Sequence, residues 1–160
     1  MSAEGTSAET ESDLPLEVAH LLLLVAQSKG DAAAARVAFT KARDEVNTIV
    51  RNQPNYAKAL CAQGVIDAAL GRKRDAIEEG QRAVKLLPVE KDAVDGALLV
   101  QHLAIIDAWT GQKDAALEQL GAAAKLPGYL SYGQLKLHPF WNPLRDDPRF
   151  DNIVASLAPK

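Results

Sequence analysis

Three glycines, Gly30, Gly71 and Gly111, fall about forty residues apart, and the sequence around the last two repeats. Ile66-Asp67-Ala68-Ala69-Leu70-Gly71-Arg72-Lys73-Arg74-Asp75-Ala76-Ile77-Glu78 overlays Ile106-Asp107-Ala108-Trp109-Thr110-Gly111-Gln112-Lys113-Asp114-Ala115-Ala116-Leu117-Glu118. Ile, Asp, Ala, Gly, Lys, Ala and Glu coincide, and Ile77 and Leu117 are a like-for-like change. A fixed period of this length marks stacked structural units, none of which can bury its apolar face alone. Chains built this way act through extended surfaces more often than through pockets.

Helices follow from the composition between the glycines. Apolar residues make up 48% of the 160-residue chain, much of it alanine, while aromatics are only 5%. Small side chains let helix axes approach closely. Val and Ile do not alternate in runs, so a strand signal is missing. The expected fold is all-α.

The breaks define the units. Residues 1–13 are rich in Ser, Thr and Glu without apolar periodicity and read as a disordered acidic leader. Asp13 before Leu14-Pro15 starts a helix reaching about Ser28. Gly30 then supplies a left-handed cap and Asp31 the next N-cap, for a helix from Ala32 to about Asn52 that Pro54 ends. The next pair is predicted at about Asn55–Leu70 and Asp75–Leu87, and the third at about Asp92–Thr110 and Lys113–Leu126. Residues 89–94 are extra material, an added turn on the following helix. The repeat domain is therefore 14–128, divided at about 14–54, 55–88 and 89–128.

Residues 129–160 differ in kind, because Pro139, Pro143 and Pro148 forbid one long helix. Short helical turns are expected, then a last helix launched by Asp147-Pro148 with Phe150, Ile153, Val154 and Leu157 on one face. With Phe140, Trp141 and Leu144, this segment is the expected cap over the open end of the stack.

The pattern in these units resembles the tetratricopeptide repeat, W-x2-L-G-x2-Y followed by A-x3-F and P. The second unit reads Leu60-x2-Gln63-Gly64-x2-Asp67, then Ala76-x3-Gly80, Ala83 and Pro88. The third reads Val100-x2-Leu103-Ala104-x2-Asp107, then Ala116-x3-Leu120, Ala123 and Pro127. The first reads Ala19-x2-Leu22-Leu23-x2-Ala26, then Ala35-x3-Phe39 and Ala42. Leu60, Val100, Asp67 and Asp107 replace the aromatic knobs of the pattern. The resemblance implies an α-solenoid of three helical hairpins with a proline-rich capping segment and final helix. The stretch Tyr132–Pro139 with Trp141–Phe150 is similar to the end of repeat regions in bacterial serine/threonine kinases and transcription regulators. No Gly-rich phosphate loop, HRD or DFG signature accompanies it.

In that family the first helix of each pair lines a concave groove for peptides or partner helices. Carried onto this chain, the groove set is His20, Leu24, Gln27, Lys58, Cys61, Val65, Ala69, Gln101, Ile105 and Trp109, apolar with scattered polar groups. Lys58 alone does not make a carboxylate clamp. Trp109 is either an interface anchor or a packing residue, and Trp141 belongs to the cap.

Other constellations are weak. Asp67 and Asp107 invite reading as a catalytic carboxylate pair, but on neighbouring helices they would sit about 10 Å apart. That is loose even for an inverting glycosidase. The structural alternative has each bonded to a neighbouring helix or facing water. His20, His102 and His138 lie in separate segments without i, i+4 pairing, so no metal is expected. Cys61 stands mid-helix away from any His, reading as a buried or groove-lining thiol. With a single cysteine, no internal disulfide or cysteine-based zinc cluster can form. No cofactor motif occurs.

Charge bounds the partners. The formal net charge is −3; residues 1–18 hold Glu4, Glu9, Glu11, Asp13 and Glu17 without a Lys or Arg, leaving the rest at +2. A body so nearly neutral offers no field for tracking phosphates, so nucleic acid is not expected. Arg72-Lys73-Arg74 reads as a solvated turn. The longest apolar run, residues 18–26, is interrupted by His20 and falls short of a membrane span. Without a basic n-region it is no signal peptide, and a complete chain would be cytoplasmic. The expectation is a non-catalytic module binding a protein or peptide in a groove, within a bacterial signalling system; the alternative is self-association into homo-oligomers for a larger signalling protein.

Overall fold

The computed structural model describes residues 30–128 and 130–160. The expected leader, the first helix and the groove positions His20, Leu24 and Gln27 lie outside the described residues. The chain is all-helical, and no strand occurs among the described residues. Among the described residues, five long helices come first: α1 (Ala32–Asn52), α2 (Ala57–Ala69), α3 (Lys73–Leu86), α4 (Ala93–Thr110) and α5 (Lys113–Ala123). Then come α6 (Tyr132–Leu137), a 3-10 helix (Pro139–Leu144) and α7 (Pro148–Ser156).

Local chemistry sets these limits. Asp31 starts α1 by accepting from the Ala33 and Ala34 N–H groups at 3.1 and 2.9 Å. Asp92 does the same for α4 with Val94 and Asp95, at 3.0 and 2.9 Å. Each satisfies N–H groups that the helix itself cannot. The expected start of α3 at Asp75 moves back to Lys73, which places Asp75 in the first turn, where the helix dipole favours an acid. The expected end of α5 at Leu126 moves back to Ala123: Lys125 and Leu126 make tighter bonds to Ala122 and Ala123 just before Pro127. Residues 89–92 form a turn, and α4 begins at Ala93, one turn earlier than α2 when both are counted from their closing glycines.

The two closing turns use identical bonds. Gly71 and Gly111 have φ of 80° and 86°, a left-handed conformation that only glycine adopts without cost. The Gly71 N–H donates to Ala68 O and the Arg72 N–H to Asp67 O, at 3.1 and 2.8 Å. One period later, Gly111 donates to Ala108 and Gln112 to Asp107, at 3.3 and 2.8 Å. Thus α2 folds back on α3 and α4 on α5, and the pairs meet through α2 against α4 and α3 against α4.

Packing between the pairs explains the small residues. The Ile106 side chain of α4 enters the space between Gly64 of α2 and Gly80 of α3. A Cβ at either glycine would stand 2.9 or 2.8 Å from Ile106 Cδ1. Gly64 also faces the Ala76 carbonyl, at 3.0 Å from where its Cβ would be, so one glycine serves the contact within its pair and the contact to the next. The core continues into the tail through Leu135, Phe140, Trp141, Leu144, Phe150 and Val154, all buried. Three short elements fold over the end of the α4–α5 pair, with the 3-10 helix on α4 and α7 on α5 and α6.

Candidate functional site

The described groove positions fall on α2 and α4, in the middle of the molecule. Lys58, Cys61, Val65, Gln101 and Ile105 are buried, and only Ala69 and Trp109 keep partial exposure. Every residue from Ala57 to Ala68 is buried, as is nearly all of α4 from Gly96 to Ala108. Neither helix has a polar stripe, and a helix that is apolar all round belongs in an interior. That missing stripe was the sequence signal for burial. Lys58 forms an ion pair with Asp95 Oδ2 at 2.8 Å. The Trp109 Nε1–H donates to the Phe140 carbonyl at 2.9 Å, fastening the 3-10 helix to α4.

Beside them lies a buried acid cluster. The Arg43 guanidinium of α1 grips both Asp67 carboxylate oxygens, with Nη2 donating to Oδ2 at 3.1 Å. Arg72 Nε stands 3.5 Å from Asp67 Oδ1. Glu79 of α3 completes the cluster, with a buried Oε2 that faces no donor. Burial, then the Asp67 charge, push its carboxyl up to about 8, against a smaller opposing pull from Arg43. Asp67 is wholly buried and bonded to a neighbouring helix, which is the structural alternative to a catalytic role.

The next unit repeats this cluster without its guanidinium. Asp107 takes the place of Asp67 before the closing glycine, Gln119 that of Glu79, and Val84 that of Arg43. Burial alone pushes Asp107 up to about 6. The described histidines are equally structural. His102 is buried with Nδ1 2.8 Å from the Leu98 carbonyl, and His138 lies against the Phe140 ring. No group of three or more His, Cys, Asp or Glu among the described residues could hold a metal. Cys61 is fully buried, and desolvation drives its thiol far above the usual range, so it is no nucleophile at neutral pH.

An open cleft lies elsewhere, between α5 and α7. Leu117, Gly121, Ala122 and Ile153 make its floor, with Asp114, Glu118, Lys125, Arg149 and Asn152 around it, enclosing about 600 Å³. Arg149 holds one end, bonded by Nη1 to Asp114 at 2.8 Å and by Nη2 to Asp147 at 2.8 Å. Asp147 also accepts from the Arg149 backbone N–H at 2.9 Å, and these bonds hold its carboxyl down at about 2. The cleft arises because α7 returns onto α5. The only hint in the sequence is the series Asp114, Glu118 and Ala122, which helical spacing puts on one side of α5, with Lys125 just past its end.

No protein-family model matches this chain, and neither a curated protein nor a solved structure matches it. No helix among the described residues is long and apolar enough to cross a membrane.

Proposed function

We propose that this chain is a non-catalytic protein-interaction module: a tetratricopeptide-like solenoid of three helical hairpins closed by its tail, serving a bacterial signalling system. The observation that carries this reading is the repeated closing turn. Gly71 and Gly111 close α2 and α4 with the same bonds, and the resulting pairs lie side by side. Repetition of this kind builds surface, and surface recognises protein segments. The resemblance adds the expected ligand, a peptide or partner helix. Ala69 and Trp109 are the predicted groove positions still accessible to it. Exposed Val37 and Val94 offer further apolar contact.

Site-specific photocrosslinking in the native host tests this, with a benzophenone side chain placed singly at Val37, Ala69, Val94 or Trp109. A discrete heterologous adduct confined to some of these positions is the expected result. Absence of any adduct at all four would overturn the module reading. Adducts only to other copies of this chain would replace it with the second reading, self-association of a larger signalling protein. The α5–α7 cleft favours that second reading, being an apolar surface left open on the outside of the molecule.

A further inference from the structure

We infer that the α5 face centred on Gly121 and Ala122, with Ile153 of α7 beside it, is the docking surface for a second copy of this chain. The two α5 helices would cross antiparallel about a two-fold axis. This inference rests on the self-association reading and names its surface.

Gly121 supplies the first argument. It sits inside α5, where glycine costs about 1 kcal/mol relative to alanine. Gly64 and Gly80 have reasons for that cost within the fold, since a Cβ at either would collide with Ile106. Gly121 has none: its Cβ would meet only Ile153 Cδ1, at an ordinary 3.9 Å. With exposed Ala122 next to it, the glycine leaves α5 bare enough for another helix to approach closely. Leu117 and Ile153 provide apolar floor on either side.

Charge selects the occupant. Glu118 precedes Gly121 by three residues and Lys125 follows Ala122 by three. Both are exposed, and neither forms an ion pair among the described residues. Lys125, just past the end of α5, lines the same cleft as Glu118 and Ala122, and its N–H bonds to the Ala122 carbonyl at 3.1 Å. A two-fold axis between Gly121 and Ala122 lays Glu118 of each copy on Lys125 of the other, twice. A parallel arrangement would lay like on like. The neighbouring charges are already committed, Asp114 to Arg149 and Lys113 to Asp146. A self-complementary pattern about one point is what an isologous interface requires.

Sedimentation equilibrium on the full chain tests the idea. The wild type is expected to dimerise with a Kd between about 10 μM and 1 mM, as befits a small interface. Glu118→Lys and Lys125→Glu should each weaken the dimer about tenfold or more, because each turns two attractions into repulsions. The double variant Glu118→Lys with Lys125→Glu restores both pairs and should return within about threefold of wild type, since a rim pair acts through its complementarity. Gly121→Leu should abolish the dimer. Thermal melts of the monomer serve as the fold control, and exposed charge changes should barely move them. A dimer that ignores all four variants would overturn this surface and leave self-association standing. A strict monomer at millimolar concentration would overturn both.

Discussion

At the scale of single residues, the Asp67–Glu79 pair has an unusual consequence for stability. In the unfolded chain Glu79 ionises near its ordinary 4.5, whereas the folded chain holds the proton up to about 8. Between those values the folded state binds more protons than the unfolded one, so stability falls as pH rises. The contribution is complete below about 4.5 and gone above about 8. Asp107 acts with the same sign between its ordinary 3.8 and about 6. The next unit carries Gln119 where Glu79 stands, an amide that cannot ionise. Glu79→Gln should therefore melt like the wild type near pH 4.5 and above it at pH 8 and beyond, by roughly 3–6 °C. Calorimetry across that range checks it, and a difference that shrinks with rising pH would contradict the assignment. The glycines give a second prediction at this scale. A Cβ at Gly96 would stand 2.7 Å from the Val89 backbone, where the turn of residues 89–92 crosses α4. Gly96→Ala should destabilise by about 1–3 kcal/mol, the usual range for overpacking. Gly121→Ala, with its open surroundings, should stabilise the monomer by up to about 1 kcal/mol. Urea titration of the two variants should give midpoint shifts of opposite sign.

Between elements, the Arg43 fork on Asp67 joins α1 to α2, and the Ile106 side chain between Gly64 and Gly80 joins α4 to α2 and α3. Ile106 is fully buried, and its truncation would leave a void walled by two glycines with no side chains to move into it. Ile106→Ala should thus fall in the upper part of the 2–5 kcal/mol range seen for large-to-small core changes, and Ile106→Val near 1 kcal/mol. Equilibrium unfolding measures both; an Ile106→Ala cost below about 1 kcal/mol would show that the pairs do not depend on this contact. How far these elements were legible in the sequence depends on how local their causes are. The closing glycines and the caps Asp31 and Asp147 could be read directly, because each acts on backbone groups two or three residues away, whereas Asp92, expected as the first residue of its helix, caps it instead. The pairing of Arg43 with Asp67 could not, since it needs the crossing of α1 over α2. The burial of Lys58, Cys61, Val65, Gln101 and Ile105 was open to reading from the lack of a polar stripe on α2 and α4. The family resemblance pointed the other way, placing those positions on a groove.

For the whole molecule, the tail decides how the α4–α5 pair is covered. Trp141, Phe140, Leu144 and Phe150 are buried there, and Trp109 binds the segment through a single bond to the Phe140 carbonyl. The prolines that exclude a long helix in this stretch were visible in the sequence, whereas the cleft that the tail creates with α5 was not, because it depends on the return of α7. The same tail contributes Ile153 to that cleft, so the cover on the α4–α5 pair and the outer surface share one element. Trp109→Phe keeps most of the ring packing but removes the donor, at a cost of about 1–2 kcal/mol. If the tail opens as a unit, hydrogen exchange should speed up across residues 132–156 in this variant while amides of α2 and α3 keep their protection. A uniform rise across all helices would mean instead that tail and repeats unfold together. In the first case the dimer should weaken in proportion to tail opening, because an open tail carries Ile153 away from α5. Sedimentation of Trp109→Phe beside the exchange measurement therefore links the tail to the outer face of α5, and an unchanged dimer with an opened tail would restrict the docking surface to α5 alone.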